Sequence, residues 1–327
     1  MSSECDGQPS LKRPRTDDHP PADNILTRSP DVWYDDGNLI VIAESTMFKV
    51  YMGRLSQSSS IFCDMFCVST SSGGDHIDGC PAVHLPDSAE DVTHMLRAIH
   101  DWQYYPQSEI QSFSAVRAFL RLGKKYDIPF LWNEASRRLR AELPASLPEF
   151  DGIPEGWVHV DLLETPWGDT INLARETGLI SILPCVFLFC CTRNDFMEWV
   201  DDDDGDLSSE DQVRCYRGRD RMSSYYLKST FGWLLKDDPH PEDSYCRNGS
   251  TRCRMSKLKL FFSRATNLEL ICCVGSWRDS WGVGLCSECL ESGEKSFADS
   301  RVECWSKLPS FFDLPPWEEL KIDNAST

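Results

Sequence analysis

The sequence is short of positive charge. Its 33 lysines and arginines stand against 52 aspartates and glutamates, a formal charge of −19. That excess repels phosphate polyanions and anionic lipid surfaces, so neither nucleic acid nor membrane is expected as a partner. Long hydrophobic runs are also missing. The longest apolar stretch, LISILPCVFLFCC from Leu179 to Cys191, is shorter than the roughly 20 residues of a membrane-spanning helix and carries Pro184, so it reads as core. The opening residues MSSECDGQPS lack the apolar segment of a secretory signal, from which we expect an intracellular protein of nucleus or cytoplasm. Catalytic patterns are wanting too. No Ser/His/Asp set, phosphate loop or carboxylate pair stands at a working spacing, and His84, His94 and His100 share no ligand spacing, so a non-enzymatic protein is expected.

What is present is a 41% hydrophobic content over 327 residues, enough for two ordinary domains with tails. Residues 1–29, rich in Pro, Asp and Ser, bury too little apolar surface to offset ordering entropy and read as a disordered tail. Within them Lys12-Arg13-Pro14-Arg15 reads as a solvated charge cluster or a nuclear-import signal. Leu39–Ala43, apolar at every position, and Phe48–Val50, which alternates, predict a hairpin around Glu44, Ser45 and Thr46. Leu55, Ser59, Phe62 and Phe66 then recur at helical spacing, with Cys63 and Cys67 expected as buried or half-buried thiols.

Ser69–Gly79 reads as a flexible loop, and Ala82–Leu85 as a short strand. Ser88 is positioned to cap a helix carrying Val92, Met95, Leu96 and Ile99 on one face. Phe113, Val116, Phe119, Leu120 and Tyr126 mark a second helix. Pro129 opens a third with Leu131, Ala135 and Leu139, whose Arg137, Arg138 and Arg140 complement its C-terminal end. Prolines 144 and 148 then mark an interdomain linker over 143–165.

These residues carry a family resemblance. Phe48, Val50, Tyr51 and Leu55, followed by Ser59, Phe62, Met65 and Phe66, resemble the strand-to-helix signature of BTB/POZ domains. Leu85-Pro86-Asp87 and Leu122-Gly123-Lys124-Lys125-Tyr126-Asp127-Ile128 resemble later parts of that fold. The opening Trp33-Tyr34-Asp35-Asp36-Gly37-Asn38 is most similar to the BTB proteins expanded in mushroom-forming fungi, and Tyr51-Met52 stands where the family has His-Arg. The resemblance implies an α+β fold over 30–142, a short sheet with a helical bundle. It also implies a protein-interaction module that pairs with itself or with other BTB chains. Narrower forms are a substrate adaptor of a cullin-type ubiquitin ligase and a nuclear corepressor.

Beyond the linker, a helical region over 166–245 and a Cys-rich region over 246–327 are expected. TINLARETG reads as a helix closed by Gly178, and Ser181–Thr192 as a buried one holding Cys190 and Cys191 as core thiols. The nine acids between Asn194 and Asp211 read as a solvated loop. A long helix follows from about Ser208 to Leu235, interrupted in propensity by Gly218.

Fifteen cysteines without an export signal point to thiols or metal ligands rather than a disulfide framework. Cys246 and Cys253 lie in a loop-like stretch, and Cys286-Ser287-Glu288-Cys289 is a Cys-x-x-Cys. Together they offer the four thiolates of one structural zinc, with Cys304 as a substitute ligand. Free or partly buried thiols are the other reading, and a thiol oxidoreductase is the least favoured. Phe311, Phe312, Leu314 and Trp317 near the C-terminus are expected to dock on the helical half.

Overall fold

The computed structural model describes residues 26–321 apart from 72–74, 107–108, 155, 163–166, 194, 201–206, 236–245, 247–248 and 267–272. The Lys12–Arg15 cluster and the run Asp201–Asp204 lie outside the described residues.

The chain is α+β. Its sheet is built on LIVIA, which is buried on both faces as its unbroken apolar run requires. Strands β1 (Thr27–Trp33), β2 (Leu39–Ala43), β3 (Thr46–Val50), β4 (His76–Ile77) and β5 (Cys80–Leu85) take the order β1-β3-β2-β5-β4. Strands β2 and β3 form the expected hairpin, antiparallel with Val41 opposite Phe48. Strand β5 lies parallel to β2, with Val83 beside Val41. Strand β1 corrects the tail boundary, because Thr27 and Arg28 already pair with β3. Part of the expected loop over 69–79 is regular as well. Helix α2, described below, runs to Ser71, and Asp78 and Gly79, both at positive φ, turn β4 into β5.

The helix expected after the hairpin is two helices. Helices α1 (Met52–Ser58) and α2 (Ser60–Ser71) are separated by Ser59, which is extended at φ −147°. The Ser59 hydroxyl accepts the Phe62 N–H at 3.0 Å and donates to the Tyr126 carbonyl, so the break itself fastens α2 to a distant turn. Cys63 and Cys67 are exposed on α2, not buried. Helix α3 (Ala89–His100) starts at Ser88, whose hydroxyl accepts the Asp91 N–H. Helices α4 (Phe113–Lys125) and α5 (Pro129–Glu142) follow, and α3, α4 and α5 pack in sequence against one another.

Helix α5 carries two buried charged side chains one turn apart. Arg138, expected to complement the helix C-terminus, is fully buried. It donates to the carbonyls of Pro106 (2.8 Å), Glu109 (2.7 Å) and His159 (3.1 Å) and to Glu134 at 2.9 Å. Glu142 accepts the N–H groups of Val158 (2.8 Å), His159 and Val160 (3.3 Å). The stretch expected as a linker is thereby docked. It contains α6 (Leu147–Asp151), and its buried Val160 begins a short strand, Val160–Asp161, paired in parallel with Gln111–Ser112.

Helices α7 (Trp167–Thr177) and α8 (Leu183–Cys191) match the expected segments, with Gly178 at φ +80° and Cys190 and Cys191 buried. Helix α9 (Phe196–Val200) precedes α10 (Ser209–Tyr225), which continues through a π turn at Tyr226–Thr230 and a 3-10 turn at Gly232–Leu235. Two long helices complete the fold, α11 (Gly249–Thr266) and α12 (Ser287–Phe311), before the single turn α13 (Trp317–Leu320). The C-terminal aromatics dock as expected: Phe311, Phe312 and Trp317 are buried, and Trp317 stacks on Trp305 at 5.7 Å. Gly218 is explained here, since a Cβ on it would lie 2.1 Å from the Phe312 ring. One continuous apolar core runs from the sheet to α13.

Three substitutions test this packing. Arg138→Met strands three carbonyls and Glu134, and should cost about 3–5 kcal/mol, read as a lower urea midpoint. Arg137→Met, at the neighbouring exposed pair with Glu134, should cost less than about 1 kcal/mol. Gly218→Ala, which in an open helix would stabilise by about 1 kcal/mol, should here destabilise by about 1–3 kcal/mol as Phe312 is displaced.

Candidate metal centre

Cys253 lies inside α11, one turn after its start, rather than in a loop. Cys286 is the N-cap of α12, and Cys289 sits in that helix's first turn. The turn before them contains Gly284 at φ +84°, where a side chain would meet the Ser256 hydroxyl of α11 at 2.5 Å. This close approach brings the two helix starts together, and Cys246 reaches the same point from the chain before α11.

The sulfur atoms of Cys246, Cys253, Cys286 and Cys289 lie within 4.8 Å of one another. Cys246 Sγ is 3.8 Å from Cys286 Sγ and 3.9 Å from Cys289 Sγ. A tetrahedral zinc with Zn–S bonds of about 2.3 Å separates its sulfurs by about 3.8 Å, so the four thiols match a Cys₄ site. Cys253, Cys286 and Cys289 form a buried cluster of their own, apart from the main core, with half-buried Cys246 and Leu285 packed against it. Cys286 N–H donates to Cys253 Sγ at 3.3 Å, the kind of support that orients a ligand thiolate.

Electrostatics point the same way. Burial pushes the Cys289 thiol well up, and the neighbouring Cys286 and Cys253 sulfurs add to the shift, while the Lys257 ammonium opposes it. Four thiols so close cannot all ionise by themselves; a divalent cation removes that penalty and takes their protons' place. Lys257, only 5% exposed, is the residue that sequence reasoning missed. It lies one helical turn after Cys253, a signal legible only once Cys253 is read as helical.

The set is closed. Four protein sulfurs leave no open position for water or substrate, so a metal here is structural. The Cys-x-x-Cys of the least favoured reading, a thiol oxidoreductase, does begin a helix, yet Cys246 and Cys253 abut its sulfurs and the Cys289 thiol is pushed up, opposite to an activated nucleophile. Cys304 is not part of the group; it is buried beside Cys273 in the main core.

Of the signature residues at the strand-to-helix junction, Phe48, Val50, Leu55, Ser59, Phe62 and Phe66 are buried in the chain's own core. Tyr51 and Met65 are half-buried. Tyr51 donates its hydroxyl to Asp36 at 2.6 Å and its N–H to His100 Nε2 at 3.3 Å, and its ring faces those of Tyr34 and His100. Compared with known proteins, the chain matches no family model, no curated protein and no solved structure. No helix among the described residues is long and apolar enough to cross a membrane.

Purified full-length chain should carry one zinc per molecule by elemental analysis. Cys286→Ser combined with Cys289→Ser should remove the metal and lower the melting temperature, whereas Cys63→Ser with Cys67→Ser should do neither. Metal should also be lost on acidification, because protons compete for the thiolates.

Proposed function

We propose that this chain is a protein-interaction protein. Residues 30–142 act as a BTB/POZ-type self-association or adaptor module, and the C-terminal half is stapled by one structural zinc. The observation that carries this reading is a chain of contacts joining the three separate motifs of the resemblance. Phe62 N–H donates to Ser59, Ser59 donates to the Tyr126 carbonyl, and Tyr126 donates its hydroxyl to Asp87 at 2.5 Å. Lys125 completes it with an ion pair to Asp87 at 2.6 Å. Residues far apart in sequence that resemble one family thus meet at a single structural node, which chance similarity of short motifs does not require.

The module offers surface beside that node. Ile61 on α2 is 39% exposed although its neighbour Phe62 is buried. Adaptor for a cullin-type ubiquitin ligase and nuclear corepressor are narrower forms of the same reading, separated by pull-down with a cullin scaffold.

Light scattering on the full-length chain should give the mass of a dimer or larger at tens of micromolar. Ile61→Glu should shift it towards monomer without moving the melting temperature. A monomer that also captures no protein partner from its native cell would sink the proposal.

A further inference from the structure

Helix α11 reverses the charge balance of the chain. Between Gly249 and Thr266 it carries Arg252, Arg254, Lys257, Lys259 and Arg264 and no acid, although the whole sequence has a formal charge of −19. Lys257 turns inward beside the cysteines. Arg252, Met255, Lys259 and Phe262, at spacings of three and four, form one stripe on the opposite side. All four are exposed, Met255 at 51% and Phe262 at 63%. Neither Arg252 nor Lys259 makes an ion pair among the described residues.

Beside this stripe runs a cleft of about 840 Å³, closed on its far side by Ser280, Trp281, Val283 and Gly284. Met255, Leu260, Trp281 and Val283 give it apolar walls, Arg252 and Lys259 stand on it, and no acid among the described residues lines it. Its two sides are tied through the cysteine cluster: Cys253 belongs to α11, and Cys286 lies two residues beyond Gly284.

We propose that this cleft docks an acidic, apolar peptide segment of a partner protein. Arg252 and Lys259 are seven residues apart, about 10.5 Å along the helix. A peptide in the polyproline II conformation, three residues per turn at about 3.1 Å each, covers nearly that distance in three residues and returns to the same face. Carboxylates three positions apart therefore meet the two cations, and the apolar side chains between them fill the space against Met255, Trp281 and Val283. A nucleic-acid strand fits less well. It seeks a run of cations and would lie along a surface of opposite preference, with only two phosphates neutralised. The proposal rests on the metal-stapled half and not on N-terminal self-association, so a monomeric chain leaves it standing.

The test is fluorescence anisotropy of a fluorescein-labelled peptide, Ser-Glu-Leu-Leu-Glu-Ser, titrated with the zinc-loaded full-length chain. Saturable binding is expected, weakened about tenfold by combined Arg252→Glu and Lys259→Glu. Val283→Asp, at a position 74% exposed, should weaken it as well without altering the melting temperature. A peptide with lysines in place of its glutamates should not bind. Equal affinity of native chain and double variant would overturn the proposal, as would tighter binding of a single-stranded oligonucleotide or of phosphatidylserine vesicles than of the peptide.

Discussion

Two charged side chains taken out of water on α5 hold the rest of the molecule in place. Burying an arginine or a glutamate costs several kcal/mol unless its hydrogen-bonding capacity is met. Arg138 meets it with three carbonyls and Glu134, whereas Glu142 takes three successive N–H groups on Oε1 alone and leaves its buried Oε2 without a hydrogen bond among the described residues. One of those carbonyls and all three N–H groups belong to residues 158–160, beyond the helix. The hydrogen bonds of both charges therefore form in full only when that later segment docks, and its backbone is paired by those charges together with Gln111, whose N–H donates to the His159 carbonyl at 3.1 Å. This mutual dependence is why the apolar core runs without a break from the sheet into the helical half.

A second, different constraint organises the C-terminal end. Close approach at Gly284 and the start of α12 brings four sulfurs, three of them from buried residues, into one group with no carboxylate or histidine among them. Soft ligands in tetrahedral array select zinc or a similar thiophilic ion over calcium or magnesium. The same approach leaves one side of α11 facing solvent with its cations, while the other side supplies Cys253 and Lys257 to the cluster. Anchoring and display are thus two faces of one helix.

Much of the N-terminal architecture was legible in the sequence because its signals are local. Continuous burial of Leu39–Ala43, the Ser88 cap, Pro129 at a first turn and the helical stripes all follow from period and capping chemistry. The misses have physical reasons. Ser59 kept the helical spacing of its neighbours, so only its tertiary bond to Tyr126 marks the break. The Asp78-Gly79 pair, a strong hairpin signal, was masked by the serine and glycine run before it. Arg138 sits between exposed Arg137 and half-buried Arg140, but three residues after Ala135 and seven after Leu131 it shares their buried stripe, a signal hidden by the run of basic residues. The four cysteines were found by residue type, whereas their meeting depends on the docking of two helices that no spacing rule encodes.

The cysteine cluster also alters what stability means for this molecule. It joins Cys246 to Cys289 across a long intervening stretch, and the unfolded chain has no equivalent preformed site. Metal bound only in the folded state adds a free energy that grows with the logarithm of free metal concentration. If these four sulfurs hold zinc, the melting temperature of the protein becomes a gauge of zinc availability, and the same sequence is more robust in a metal-replete compartment than in a depleted one.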